Sequence, residues 1–193
     1  MLDLMIDIET ISTRKSDSPV VAIGAVRFDV LTGETFETFF AHISRESCKE
    51  AGLIENPSTL EWWSEQSPEA QKVLQGGNDL KEELTRFNKW VHTFKKGDMK
   101  LSPQHLRPWG NSSDFDLSIL QTAMEKVDLD WPFHFWHHKD VRTVMSFIPR
   151  GVFKKWKIDN TRPGTYHDAV DDCKYQIKFL HWAFKTLGVK EYR

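Results

Sequence analysis

Met5-Ile6-Asp7-Ile8-Glu9-Thr10 closes an apolar run that begins at Leu2, and the reading of this stretch decides the fold. Apolar side chains over residues 2–8 carry a period-2 component, the pattern of a strand. Residues i and i+2 of a strand project to one face. Asp7 and Glu9 therefore point the same way, at the strand's carboxyl end. Two negative charges that close repel unless a cation lies between them. The alternative is a strand that has ended by Asp7, with both acids solvated. A lone D-x-E is too common a pattern to decide between the two.

Working outward, residues 20–30 form a second apolar, β-branched run, and Leu31-Thr32-Gly33-Glu34 is a turn signal. Residues 35–42 continue as a third strand, so the chain opens with an antiparallel meander. The character then changes. Pro57 and Pro68 stand near helix starts, with Ser67 as a cap, and residues 58–64, 69–75 and 79–94 have helical spacing. Leu80, Leu84, Phe87 and Val91 mark one buried helix face, and Gly76-Gly77 separates two helices. Residues 106–110 read as a short strand, followed by a helix capped by Ser113 or Asp114. Residues 133–136 read as a strand, 141–148 as a helix, and 150–164 as a basic, turn-rich connector. A last helix runs from about residue 168 to 187, where Gly188 ends it. Strands then helices, then a strand–helix alternation, predict an α/β fold with a mixed sheet flanked by helices, in a single domain over residues 1–193.

Bulk properties narrow the function classes. A length of 193 residues with 39% hydrophobic content suits one domain with a sizeable core. The formal net charge of −2 removes any global basic field, so charge alone does not argue for a nucleic-acid partner. Cys48 and Cys173 form neither a metal-spacing motif nor a disulfide framework, which reads as reduced thiols in the cytoplasm. No basic segment followed by a long apolar stretch opens the chain, and no segment has the apolar length to span a bilayer, so neither a signal peptide nor a membrane partner is expected.

Two later clusters give the first pair of acids a context. Asp116 ends Gly110-Asn111-Ser112-Ser113-Asp114-Phe115-Asp116, and His167-Asp168-Ala169-Val170-Asp171-Asp172 opens the last helix. With Asp168 as N-cap and Asp171 at the third helical position, both acids serve the helix terminus. His167 then lies just outside the helix, and Asp172 in its first turn approaches the same point from a different element.

The order D-x-E, a distant F-D, then H-x-A-x-x-D resembles the DEDDh class of 3′→5′ exonucleases. The residues that carry the likeness are Asp7 and Glu9, Phe115 and Asp116, then His167, Ala169 and Asp172. Thr59, Trp62, Trp63, Gln66, Ser67 and Ala70 match a T-x-x-W-W-x-x-Q-S-x-x-A signature of a subgroup that contains phage exonuclease A and bacterial exoribonucleases. Residues 135–143 also resemble that subgroup, whereas Asn111 stands farther from Asp116 than the asparagine of many members does. The resemblance implies a ribonuclease-H-like fold and release of nucleoside 5′-monophosphates from a DNA or RNA 3′ end. It implies two Mg²⁺ or Mn²⁺ ions, which suit carboxylate ligands. Asp7 would bridge both, Glu9 and Asp172 complete one site, Asp116 serve the other, and His167 act as general base. Similar enzymes are often homodimers.

Substrate contacts are expected at Thr10 and Ile11, which follow the first motif, and at Trp62 and Trp63, one of which packs the core because adjacent helical residues face different ways. In the basic connector, Lys155 and Trp156 combine a cation with a stacking surface, against the alternative of a solvated loop anchored by Trp156. Lys95, Lys96, Lys100 and Arg107 read as scattered surface cations. His134, His137 and His138 lack cysteine partners and read as ordinary polar positions rather than a zinc site. Two other functions compete with exonuclease activity: an idle nucleic-acid-binding module on the same fold, and a hydrolase of free nucleotides.

Overall fold

The protein's structure, a computed structural model, describes residues 2–96, 98–162 and 167–191. Strands β1 (Leu2–Thr10), β2 (Val20–Phe28) and β3 (Thr35–His42) form the antiparallel meander. Asp29 builds the β2–β3 turn, its carboxylate accepting from the backbone amides of Leu31 (2.8 Å) and Thr32 (3.0 Å). Helices α1 (Arg45–Glu50), α2 (Pro57–Ser64), α3 (Pro68–Gln71) and α4 (Leu80–Val91) follow, then a ribbon of β4 (Lys95–Lys96) and β5 (Met99–Lys100). Strand β6 (Leu106–Gly110) leads into α5 (Ser113–Lys126), and β7 (Lys139–Asp140) into α6 (Val141–Ser146), α7 (Arg150–Asp159) and α8 (Ala169–Thr186). The main sheet has the order β3-β2-β1-β6-β7, with β6 parallel to β1 and β7 parallel to β6. Among the described residues, no helix is long and apolar enough to cross a membrane.

Strand β2 is buried at every residue but Arg27 because helices cover both faces of the sheet. Leu4, Ile6 and Ile8 of β1 pack with Leu84 and Phe87 of α4 and Leu117 and Leu120 of α5. Met5 faces the other way, into a second cluster with Cys173, Ile177 and Leu180 of α8. Odd-numbered β1 residues thus look toward α8, and three of them are acids: Asp3, Asp7 and Glu9.

Several expectations are corrected. Residues 133–136 are not a strand: Phe135–His137 is a 3-10 turn, its Phe135 and Trp136 over 70% exposed, and the strand is β7 just after it. A strand would have buried one of those two neighbours. The supposed connector is largely α7, because Phe153 and Trp156, three residues apart, pack against Phe179 while the cations face outward. Residues 163 and 164 of that stretch lie outside the described residues. Helix α1, capped by Ser44, was not anticipated. The residue before α5 is Ser112, and the amide of Ser113 is taken instead by Asp140 Oδ2 at 2.7 Å, across from β7.

Candidate active site at the carboxyl edge of the sheet

Three elements converge where β1 ends. Strand β1 supplies Asp7, partly buried, and Glu9, 8% exposed. The first turn of α5 supplies the buried Asp116, and the first turn of α8 supplies Asp172. Two glycines make the convergence sterically possible. Gly24 of β2 lies opposite Asp7, and a Cβ there would sit 2.3 Å from the carbonyl carbon of Ala169. Only glycine lets the start of α8 lie directly on the sheet. A Cβ on Gly110 would come within 3.1 Å of the Asp116 carboxylate, so β6 likewise yields room for an acid.

Asp168 caps α8 through its carboxylate, which accepts from the amides of Val170 (3.1 Å) and Asp171 (2.9 Å). Immediately before it, His167 has φ +64°, a conformation uncommon for a non-glycine residue and enriched at functional sites. This turn swings the imidazole back over the cleft, edge-on to Trp62 and Trp63 at ring-centroid distances of 5.0 and 5.6 Å. Trp63 is buried and donates its indole N–H to the Thr10 carbonyl at 2.9 Å; Trp62 remains 42% exposed. Ligand atoms of Glu9, His167 and Asp172 lie within 4.8 Å of one another.

The electrostatics separate these acids from Asp3, on the same face of the same strand. Asp3 receives two bonds from Arg107, each 3.0 Å, and one from Trp109 Nε1 at 2.9 Å. A buried charge satisfied that fully is a structural fixture. At Asp7, burial is the largest influence and pushes the carboxyl up to about 7, against a 2.7 Å hydrogen bond from Gln176 Nε2 and the charge of Arg162. Burial, then Asp7, also raises Glu9 and Asp116 well above the usual carboxylate range. Asp116 Oδ2 is buried with no hydrogen-bond partner among the described residues. Burial, then Arg162, lowers His167, which favours neutral imidazole at neutral pH. The arrangement is a pocket of acids short of positive charge, with a neutral imidazole at its edge.

The 3′-5′ exoribonuclease Rv2179c-like domain matches residues 2–184. The chain belongs to this family. It is 23% identical to an exodeoxyribonuclease of Enterobacteria phage T4, over 99% of this chain and 93% of the phage protein. Its fold resembles cell-death related nuclease 4 (CRN-4), with a TM-score of 0.69 and 16% identity, covering 97% of this chain and 64% of that one. It also resembles the nuclease domain of 3′hExo, a DEDDh family member solved bound to rAMP, with a TM-score of 0.65 and 14% identity, covering 100% of this chain and 94% of that one. The ribonuclease-H-like fold and the 3′→5′ exonuclease assignment both follow.

For this exonuclease, the expected contact residues separate cleanly. Thr10, Trp62 and Trp63 line a cleft of about 390 Å³ together with Glu9, Thr59 and Phe115. Ile11 is fully buried and faces the core instead. Trp156 is 4% exposed and packs between Tyr175 and Trp182, so it anchors α7 and offers no free face for a base; Lys155 lies beside it on the surface, in a separate groove over α7 and α8. Arg107 is no surface cation, being buried with Asp3. His138 accepts from Trp131 Nε1 at 3.1 Å and His137 Nδ1 meets the Gln104 carbonyl at 2.8 Å. Two site neighbours were missed. Gln176 lies four residues after Asp172, on the same helix face, a spacing that was available to the eye. Arg162 carried no sequence signal beyond its charge.

Proposed function

We propose that this chain removes nucleoside 5′-monophosphates stepwise from the 3′ end of DNA or RNA, using two Mg²⁺ or Mn²⁺ ions held by Asp7, Glu9, Asp116 and Asp172. The observation that carries the reading is the buried, under-compensated acid cluster, in which Asp116 Oδ2 has no hydrogen-bond partner among the described residues. All-carboxylate donors suit hard divalent ions, and a carboxylate oxygen of Glu9 and one of Asp172 lie within 4.8 Å of each other, close enough to share one. Bound there, the ions would supply Lewis-acid neutralisation of the phosphodiester and acidify water. The protein's own residues do the rest. Neutral His167, held by the edges of Trp62 and Trp63, accepts the proton of the attacking water at a ring nitrogen. Gln176 fixes the rotamer of Asp7, and the exposed face of Trp62 lies where the terminal base would stack. The same reading treats residues 1–193 as one domain, keeps the free, buried Cys48 and Cys173 reduced in the cytoplasm, and by resemblance allows a homodimer.

End-labelled single-stranded DNA and RNA, incubated with Mg²⁺, Mn²⁺ or EDTA, test the proposal. Ion-dependent shortening from the 3′ end is expected. Binding without shortening supports an idle module, and cleavage of free nucleotides alone supports a small-molecule hydrolase. His167→Ala should lower kcat by about 10²–10⁴-fold with substrate affinity and Mn²⁺ binding retained. Loss of Mn²⁺ binding in that variant would make His167 a ligand rather than the base.

A pH dependence follows from Asp7. Its folded pKa of about 7 lies above the ordinary 3.8, so between those values the fold holds a proton that the unfolded chain has released. Stability of the ion-free protein therefore falls as pH rises through this window, and above it the full cost of the buried charge is present. Divalent ions compete with that proton. The rise in Tm on adding Mn²⁺ should accordingly grow between about pH 5 and about pH 8. A pH-independent rise, measured by thermal melting, would remove Asp7 from the ligand set.

A further inference from the structure

Arg162 occupies an unusual place. It follows α7 by three residues, and its guanidinium Nη2 forms an ion pair with Asp172 Oδ1 inside the acid cluster. Both side chains are largely buried, at 15% and 12% exposure. Its charge is felt by Asp7 and Glu9 of β1 and by His167 as well. The neighbouring backbone is tied down: Tyr175, in α8 one turn after Asp172, donates its hydroxyl to the Asn160 carbonyl at 3.3 Å, and Asn160 Nδ2 donates to the Trp156 carbonyl at 3.0 Å. Trp156 in turn is wedged against Tyr175, Phe179 and Trp182 of α8. Packing of α7 on α8 thus delivers one cation to the carboxylate that the proposed metal centre also needs.

A carboxylate oxygen bound to a guanidinium is not available to an ion at the same moment, and a buried acid that loses its partner is strongly destabilised unless another cation replaces it. We infer that Arg162 is a built-in counter-ion of the metal centre: it holds Asp172 while no ion is bound, and divalent ions must displace it to bind. The inference rests on the metal reading of the acid cluster. It explains why α7 carries its aromatic residues inward, since their task is to position this arginine against α8. It also gives the ion-free protein a way to keep four acids together without unfolding.

The test uses the full-length protein and Mn²⁺ alone, in calorimetric titrations of wild type, R162Q and R162K, with melting curves in EDTA. R162Q should bind Mn²⁺ on the order of tenfold more tightly, a gain of about 1.4 kcal/mol, and should melt lower than wild type in EDTA. The Tm difference should shrink in saturating Mn²⁺. R162K keeps a charge without the planar fork and should bind with intermediate affinity; it also serves if R162Q fails to fold. Equal or weaker Mn²⁺ binding by R162Q, or by R162K where R162Q is insoluble, with wild-type binding intact overturns this inference alone. No Mn²⁺ binding by wild type overturns the metal reading and this inference together.

Discussion

Asp7→Asn is expected to lower exonucleolytic turnover by at least about 10³-fold, or about 4 kcal/mol of transition-state stabilisation, while leaving the fold in EDTA as stable as wild type or more so. The two halves of this result come from one geometry. Asp7 pairs in register with Gly24 of β2 and accepts from Gln176 of α8, and burial already pushes its carboxyl up to about 7. An amide of the same shape removes the charge whose burial is costly, and its carbonyl oxygen can still accept the 2.7 Å bond from Gln176. What it cannot do is act as an anionic ligand shared between two ions. Activity and stability should therefore move in opposite directions, which a merely structural acid would not do. Asp3 provides the contrast: its three bonds from Arg107 and Trp109 make it such an acid, and Asp3→Asn should chiefly cost stability. Thermal melts in EDTA beside single-turnover assays with Mn²⁺ would separate the two residues. Substantial activity in Asp7→Asn would sink the ligand assignment.

Gly24→Val is expected to damage both fold and activity. The new side chain would begin 2.3 Å from the Ala169 carbonyl carbon and 2.6 Å from the Val170 nitrogen. Both are backbone atoms, so no rotamer change relieves the clash, and β2 cannot shift because it is packed on both faces. The start of α8 must lift instead. Asp168, which caps that helix, and Asp172, one turn in, move with it. A destabilisation on the order of 3 kcal/mol follows from overpacking of this kind, with Mn²⁺ affinity falling even in the fraction that stays folded. Gly151→Ala is the control: a Cβ there meets nothing within 4 Å, and the helical site favours alanine, so its Tm should hold or rise slightly. Equal Tm values for the two variants would show that the close approach of α8 to β2 carries no energetic weight.

Local patterns were legible wherever local physics governs. The period-2 run of β1, the turn at residues 31–34, the Ser67 and Asp168 caps and the Leu80–Val91 face all follow from nearest-neighbour stereochemistry, and the structure has them in place. Failures occurred where a long-range partner decided the outcome. Phe153 and Trp156 looked like aromatic interruptions in a basic loop because the α8 face that receives them is distant in sequence. Phe135 and Trp136 looked like strand residues because two adjacent aromatics have high strand propensity, yet both are solvent-exposed. Ile11 was placed at the substrate by its position after the motif, but the side chain turns into the core.

The candidate site divides the same way. Three motifs in order named Asp7, Glu9, Asp116, His167 and Asp172, because residue types and spacing are properties of the chain itself. The sequence by itself also determined that β1 bears acids on one face. It did not distinguish Asp3 from Asp7, which differ in whether Arg107 or an acid cluster lies across from them. Nor did it show that Gly24 is needed for α8 to touch β2, or that Arg162 is delivered to Asp172 by α7. These are facts of proximity between residues more than a hundred positions apart, or, for Arg162 and Asp172, on elements whose packing brings them together. Tertiary structure alone decided which acids are neutralised by the protein and which are left short of positive charge, and that difference in desolvation and pairing is what marks a set of carboxylates as a candidate site.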